Sequence, residues 1–303
     1  MSNLNTIDYF KYINHPFAQL INAIFQGNPV IDAIPTISQG INDNRQVEYA
    51  IIDELPELQR RAVAGSYSDQ KTTKAKYVVG QLIPGGNQWL DDRYFDTPAG
   101  NRLKEQSRQQ FLQGIGASVN NELVNGTKTK TSWLGIDGIA IANGNVSTNT
   151  TAITDGDTAW AAYEQIGQLI FDLENVSVAL GGYDTFVFLR QMQRFLGALN
   201  VEVTSNEVGM DIAKMRFVGG KVLNIVWAGK KINRSGEVIG DATGTNAYLY
   251  PIDVSETGLG YAFDGNFDVD QIKQANGMLN VIEFYDLLVS RTERSCGKYI
   301  QAL

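Results

Sequence analysis

Apolar positions follow a helical period in some segments of the chain and a strand-like pattern in others. Spacings of three and four residues predict helices over residues 16–25, 98–123, 157–176, 185–196 and 269–275. Runs rich in β-branched and aromatic residues predict strands over residues 47–55, 76–83, 178–180, 201–204, 215–227, 247–252 and 278–293. The mixture between residues 131 and 260 is typical of an α/β domain.

The helix over residues 98–123 has the clearest local signals. Pro98 suits a first helical position, and Phe111, Ile115 and Val119 fall on one stripe. A helix of about 25 residues is roughly twice the usual length. We therefore expect it to act as a structural spine.

The helix over residues 157–176 is predicted to begin at Asp157, whose carboxylate can cap it. Five apolar side chains would then share its buried face: Trp160, Tyr163, Ile166, Ile170 and Leu173. The Gly219-Gly220 pair interrupts the strand over 215–227 and predicts a turn. It is not a phosphate-binding loop, because the upstream Gly and the following Ser or Thr are missing.

The strands over residues 47–55 and 76–83 enclose a long polar segment, which predicts a two-stranded ribbon. Such a ribbon is marginal alone in water, so we expect it to lie on another surface, such as a second copy of the chain. Basic residues concentrate in it: Arg60, Arg61, Lys71, Lys74 and Lys76. Their charge fits two interpretations, protection of an exposed strand edge or a basic arm laid on an acidic neighbour.

Composition narrows the classes of function. The 303 residues suffice for two domains or one elaborate domain. Lys plus Arg number 25 against 33 Asp plus Glu, and the net charge of -8 argues against broad attraction to nucleic acid or anionic membranes. The single cysteine, Cys296, and single histidine, His15, exclude a disulfide within the chain and any Cys/His zinc cluster.

The sequence also carries no signal of export or membrane insertion. Its first residues lack the features of a signal peptide. No window approaches the roughly 20 apolar residues that a membrane helix needs. We expect a soluble protein that is made in a reducing compartment.

Acidic clusters are the remaining candidates for chemistry. The run over residues 264–270 resembles the start of a calcium loop but has Val269 and Ala275 where an EF-hand requires Gly and Glu. We interpret it as a loop that caps the helix over residues 269–275. Asp155 stands beside another predicted helix start, where capping explains it.

A second acidic cluster, Asp91, Asp92 and Asp96, surrounds Arg93. A structural ion pair explains it better than acid–base catalysis, because no nucleophile or pocket is indicated nearby. We predict no enzyme activity, no cofactor and no metal. The alternative left open is a carbohydrate-acting or metal-using enzyme with an α/β domain, which would rely on Asp91, Asp92, Asp155 and Asp264.

Four segments, taken in order, resemble one known family. They are ELPELQRRAVAGSY at 54–67, the run from GGNQW to LVNG at 85–126, WLGIDGIA at 133–140, and the stretch from LNIVWAGKK to ATGTNAYLY at 223–250. All four resemble segments of tailed-phage major capsid proteins. The first resembles the family's L-P-x-x-x-R segment, and the second its strand and long helix, including D-R and the closing N-G. The third resembles its F-x-G-I segment, and the fourth its G-x-P-V strand pair. The chain is thus similar to the Hong Kong 97-type shell proteins over nearly its whole length.

The resemblance implies an α+β capsid fold with five parts. These are an N-terminal arm over 1–40, an extended β-hairpin loop over 41–83, a peripheral domain over 84–130 with a spine helix at about 98–123, an axial α/β domain over 131–260, and a C-terminal return over 261–303. About 40 residues precede the loop, so a fused scaffolding domain looks absent and a separate scaffolding protein is implied. Portal and decoration proteins are further partners that the family implies.

The implied function is structural: self-assembly into hexamers and pentamers that form an icosahedral shell around double-stranded DNA, in a virion made in a bacterial cytoplasm. Some family members crosslink a loop lysine to an Asn of a neighbour, a role open to Lys71, Lys74 or Lys76. An encapsulin, a bacterial compartment of the same fold, is the nearest alternative. The predicted contacts between subunits involve Arg60, Arg61, Lys71, Lys74, Lys76, Asp91 and Arg93.

Overall fold

The computed structural model describes residues 28–37, 47–52, 73–78, 85–91, 98–129, 132–173, 175–205, 211–231, 236–263, 268–274, 277–283 and 286–303. The helices in these ranges are α1 Pro29–Ala33, α2 Pro98–Asn125, α3 Ile136–Ala142, α4 Gly156–Asp172 and α5 Tyr183–Leu196. The strands are β1 Thr36–Ile37, β2 Val47–Ile52, β3 Thr73–Val78, β4 Gly85–Asp91, β5 Thr127–Thr129, β6 Ser132–Leu134, β7 Val146–Asn149, β8 Val178–Gly181, β9 Val201–Ser205, β10 Asp211–Arg216, β11 Val222–Trp227, β12 Asn246–Ile252, β13 Leu259–Phe263, β14 Asp268–Gln274, β15 Gly277–Glu283, β16 Asp286–Ser290 and β17 Lys298–Ala302.

A mixed seven-stranded sheet organises the middle and the end of the chain. Its order is β7-β17-β12-β8-β11-β10-β9. The strands β8 and β11 run parallel, whereas β10 is antiparallel to both of its neighbours, β11 and β9. Strand β17 lies between β12 and β7, so the last residues of the chain become an inner strand of this sheet.

Smaller sheets complete the architecture. Strands β1, β13 and β16 form one, and β14, β15 and β4 form another. Strands β2 and β3 pair antiparallel as a separate ribbon, and β5 and β6 form a hairpin directly after α2. The α+β class is therefore confirmed.

The buried apolar residues that the structure describes form two clusters. One gathers buried residues of α1, α2 and α3 with those of β13 and β16, among them Ile31, Leu123, Ile136, Tyr261 and Leu288. The other packs α4 and α5 on the seven-stranded sheet, with Ile166, Phe188, Leu189, Ile225 and Tyr299 at its centre. Burial of these side chains supplies the main stabilising free energy of the fold.

The predicted helices over 98–123 and 185–196 are confirmed as α2 and α5. The predicted strand over 215–227 is two antiparallel strands, β10 and β11, separated by a 3-10 turn at Val218–Gly220. Gly219 and Gly220 both have positive φ there, 83° and 79°, which glycine adopts without a steric penalty. The predicted ribbon is confirmed too, although its second strand begins at Thr73 rather than at residue 76. The helix predicted over residues 16–25 lies outside the described residues.

Helix α4 differs from its prediction in three respects. It ends at Asp172 rather than at residue 176. Its cap is Asp155 rather than Asp157, because the Asp155 carboxylate accepts a hydrogen bond from the Thr158 amide and the Thr158 side chain closes a capping box. Trp160 does not join the buried face, since its side chain is 47% exposed. Tyr163, however, is buried as predicted.

The C-terminal predictions were less accurate. Residues 269–274 belong to a strand and not to the predicted helix, because Asp268–Gln274 pairs along its whole length with β15. The interpretation of the preceding acidic run as the cap of a helix is therefore wrong. Cross-strand pairing overrides the local helical spacing of this segment. The single strand predicted over 278–293 is instead β15 and β16, which belong to different sheets, and β17 was not predicted.

Candidate functional site

The structure describes the backbone at three of the seven predicted contact residues. Lys74 and Lys76 lie in β3, opposite Ile51 and Tyr49 of β2, and Asp91 ends β4 opposite Gly277 of β15. Arg60, Arg61, Lys71 and Arg93 lie outside the described residues. The proposed contacts of these seven side chains therefore stay predictions.

The other candidates for chemistry are also described only in part. Four of them lie outside the described residues: Asp92, Asp96, Asp264 and His15. Across the ranges that are described, no group of three or more His, Cys, Asp or Glu side chains could hold a metal ion. Asp155 caps α4. Cys296 is fully buried, and burial raises the pKa of its thiol to about 12, so the thiol is protonated at neutral pH.

An exposed apolar surface surrounds the turn between β10 and β11. Three aromatic side chains that contact one another in series support this surface. The ring of Phe217 stacks on Tyr163 of α4 with centroids 5.0 Å apart, and Tyr163 meets the edge of Trp160 at 5.4 Å. The Tyr163 hydroxyl donates a hydrogen bond to the backbone oxygen of Arg216. Burial raises the pKa of Tyr163, which keeps this donor protonated.

Gly167 explains why the turn can approach α4 so closely. A Cβ at this position would lie 3.2 Å from the Phe217 ring, which is tighter than ordinary van der Waals contact. At the far end of the turn, the Phe217 amide donates to the oxygen of Lys221 at 2.9 Å. The Lys221 ammonium lies over the Phe171 ring at 4.7 Å, a favourable cation–π distance.

Arg216 attaches the loop between α5 and β9 to the same surface. Its guanidinium donates to the backbone oxygens of Ala198 and Leu199 at 3.3 and 3.4 Å. It also forms an ion pair with Glu202 at 2.9 Å. These bonds hold Leu199 beside the β10–β11 turn although its side chain is 85% exposed.

We call Trp160, Phe171, Leu199 and Val218 the turn surface. Val218 is 83% exposed at the tip of the turn, and Phe171 is 48% exposed on α4. Single exposed apolar residues are ordinary, but a group held in fixed positions by packing and hydrogen bonds is typical of a protein–protein contact. The surface contains no nucleophile and no acid–base pair, so the chemistry it supports is burial of apolar area.

The turn surface was not predicted from the sequence. A signal was present: turns are normally rich in polar residues, yet Phe217 and Val218 precede the Gly219-Gly220 pair. Leu199 stands in a comparable position, two residues after Gly197. Apolar side chains in turns are therefore the pattern that would have identified it.

Comparison with known proteins comes from structure alone. No family model matches the sequence, and no curated protein matches it either. A chain of the capsid of Myoviridae phage XM1 matches with a TM-score of 0.56 and 11% identity, over 88% of this chain and 89% of that chain. A chain of Mycobacterium phage Bobi matches with a TM-score of 0.55 and 12% identity, over 99% of both.

The chain has the Hong Kong 97-type capsid fold. This fold also occurs in the holo-SrpI encapsulin complex of Synechococcus elongatus PCC 7942, which matches with a TM-score of 0.55 and 10% identity over 75% of both chains. Because these identities are low, the likeness concerns the Hong Kong 97-type fold and its element order. Among the described helices of this fold, none is both long and apolar enough to cross a bilayer.

Proposed function

We propose that this chain is a structural shell protein whose copies assemble into a closed icosahedral particle. The observation that carries the proposal is the match of 88–99% of the chain to proteins of phage particles. Copies would form hexamers and pentamers, since heterologous contacts that close produce rings. No catalytic step belongs to this function.

The turn surface provides a contact for such assembly. Its apolar side chains are exposed in a single copy, and burial against a second copy would remove that area from water. A contact of this kind depends little on salt, because it relies on apolar area rather than on charge.

A second contact would use charge. In the proposed division, residues 41–83 form the extended loop, 84–130 the peripheral domain and 131–260 the axial domain. The basic residues Arg60, Arg61, Lys71, Lys74 and Lys76 would lie on an acidic region of the next copy, near Asp91 and Arg93. In a chain with a net charge of -8, a basic loop and an acidic neighbour attract each other.

Double-stranded DNA is the proposed content of the shell. A wall with net negative charge encloses DNA without binding it tightly, since tight binding requires cationic side chains that neutralise phosphates. The encapsulin match supports the alternative content, protein cargo. The particle would be made in a bacterial cytoplasm, with a scaffolding protein, a portal and decoration proteins as proposed partners.

Electron microscopy of the purified chain tests the proposal. We expect rings or closed shells by negative stain, and a matching large species by size exclusion with light scattering, with or without a scaffolding protein. Nuclease-protected DNA within the particles would favour a virion, and a copurifying enzyme would favour a compartment. A chain that stays monomeric across protein concentration, salt and crowding agents would contradict self-assembly.

A further inference from the structure

A cavity of about 380 Å³ lies beside the second half of α2. Its walls include Ser118, Asn121 and Glu122 of α2, Thr127 and Ser132 of the β5–β6 hairpin, and Lys231. The volume falls within the range of ligand pockets. The cavity is distinct from the turn surface, since no residue of that surface lines it.

The polar face of α2 follows from its sequence. The helix buries Leu112, Ile115, Val119 and Leu123 in the core, so Ser118, Asn121, Glu122 and Asn125 share the opposite side at helical spacings. Asn125 donates to the backbone oxygen of Val238 at 2.8 Å. That bond holds Val238 at the end of α2, and the Lys231 amide donates to the oxygen of nearby Gly236 at 2.8 Å.

The hairpin contributes a strained lysine. Lys128 has φ of 51°, and within the described ranges it is the one non-glycine residue with positive φ. This conformation is unfavourable for a residue with a Cβ. Strained residues that persist are associated with function. Here the strain is retained at an exposed lysine next to Thr127 of the cavity wall.

The charges of the cavity point to its occupant. Lys128 and Lys231 are exposed, and neither ammonium has a hydrogen bond or ion pair with another side chain in the described ranges. Glu122 is half-buried in the wall, where burial raises the pKa of its carboxyl group and a hydrogen bond with Ser132 lowers it. The carboxylate of Glu122 would repel a polyphosphate chain, because both groups are negatively charged. A peptide offers backbone N–H groups to Glu122 and acidic side chains to the lysines.

We infer that this cavity, with Lys231 in its wall and Lys128 next in sequence to Thr127 of its wall, receives an acidic segment of a second copy of the chain. The inference rests on the proposed self-assembly and names one of its contacts. A second copy of the chain can supply such an acidic segment, because each chain carries 33 Asp and Glu against 25 Lys and Arg. Electrostatic complementarity then fixes the register between copies.

Carbodiimide crosslinking tests the contact, because it joins an amine to a carboxylate only when the two are in direct contact. Particles are assembled from equal amounts of ¹⁵N-labelled and unlabelled full-length chain, treated with the carbodiimide, and analysed by peptide mass spectrometry. We expect amide links from Lys231 or Lys128 to an Asp or Glu in mixed-isotope pairs, which only links between copies produce. The inference is overturned if assembled particles form no such link and both lysines react with an amine reagent as fast as in the unassembled chain.

Variants give a second measurement. Lys231→Glu and Lys128→Gly should each raise the chain concentration needed for assembly at least tenfold, and added salt should weaken wild-type assembly. Lys128→Gly removes the ammonium without adding strain, so loss of assembly would not reflect misfolding. Lys214→Glu on β10, at an exposed lysine that does not line the cavity, is the matched control and should assemble as the wild type does.

The outcomes separate the hypotheses. Normal assembly of both variants, with lysines still reactive in the particle, would overturn this contact and leave the shell function intact. Normal assembly with reduced DNA retention would overturn it in favour of a nucleic-acid contact. A wild-type chain that never assembles would overturn the contact and the shell function together.

Discussion

The ammonium group of Lys298 lies 2.6 Å from Oδ1 of Asp137, and this pair joins the last strand of the chain to the first turn of α3. The same oxygen accepts a hydrogen bond from the Tyr250 hydroxyl at 2.7 Å. The ammonium also lies 5.1 Å from the ring centroid of Tyr248 and 5.9 Å from that of Tyr250. One lysine therefore holds β17, β12 and α3 together through an ion pair and two aromatic faces.

Replacing this lysine should weaken the fold. Lys298→Met removes the cation and leaves Asp137 with only its tyrosine donor, so we expect the free energy of unfolding to fall by about 2 kcal/mol. Urea unfolding of the unassembled chain measures the change. Lys214→Met, at an exposed position, is the control and should stay within about 0.5 kcal/mol of the wild type. Equal unfolding of Lys298→Met and wild type would mean that the network contributes no net stability.

A buried carboxyl group makes stability depend on pH. Tyr261 donates a hydrogen bond to Oδ2 of Asp286 at 2.7 Å, whereas the buried Oδ1 of Asp286 has no partner among the residues that the structure describes. Burial raises the pKa of Asp286 well above its ordinary value, the Tyr261 bond lowers it, and the charge of Glu122 raises it further. The folded state thus binds a proton that the unfolded state releases above about pH 4.

The sign of the effect follows from that difference in proton binding. The stabilisation is complete below about pH 4 and is lost as the pH rises towards the folded-state pKa of Asp286. Asp286→Asn keeps a neutral acceptor for Tyr261 and should flatten the decline in the free energy of unfolding above pH 4. Urea midpoints from pH 4 to 9 measure it. Equal slopes for wild type and Asp286→Asn would show that the carboxyl group is ionised when folded.

Asp32 should make the free energy of unfolding depend on pH in the same direction as Asp286 does, but over a narrower pH range. Burial raises the pKa of its carboxyl group to about 6, so its contribution is present below about pH 4 and lost between about pH 4 and 6. Asp32→Asn should therefore flatten the pH dependence in that interval and leave the slope above pH 7 unchanged. An unchanged slope between pH 4 and 6 would contradict the raised pKa of Asp32.

The sequence predicted elements whose signals are local. Pro98 and the apolar stripe of α2 lie within the helix they define, and the turn at Gly219-Gly220 depends on those two residues. Elements defined by distant partners were missed. Strand β17 exists because it pairs with β12 and β7, which lie roughly 50 and 150 residues earlier, and no local pattern identifies those partners.

The candidate surfaces also combine features that the sequence shows with features that it does not. The charged residues can be read from the sequence, whereas the turn surface depends on which apolar side chains remain exposed after the core has packed. Trp160 has the helical spacing of a core residue, yet Tyr163 and Phe217 fill the space beneath it. Similarly, the strain at Lys128 and the cavity beside it arise from tertiary packing, so neither could be read from the residue types.

The cap of α4 offers a direct comparison of two neighbouring carboxylates. Hydrogen bonds from the Thr158 backbone and side chain lower the pKa of Asp155, and this stabilisation is present above about pH 4 and lost as the pH falls below it. Asp155→Ala should lower the melting temperature at pH 7, because the amide of Thr158 loses its acceptor. Asp157→Ala is the matched control and should change it less. A larger effect of Asp157→Ala would restore Asp157 as the cap that the sequence indicated.

The turn surface makes a prediction that separates assembly from folding. Val218 is 83% exposed, so Val218→Asp should change the free energy of unfolding of the unassembled chain by less than about 0.5 kcal/mol. A charge buried in an apolar contact is strongly unfavourable, and we expect assembly to require at least a tenfold higher concentration, as measured by light scattering. Ile141→Asp, at an exposed aliphatic residue of α3, is the control. If Ile141→Asp impairs assembly as much as Val218→Asp does, or if neither impairs it, then the turn surface is not a specific contact between copies.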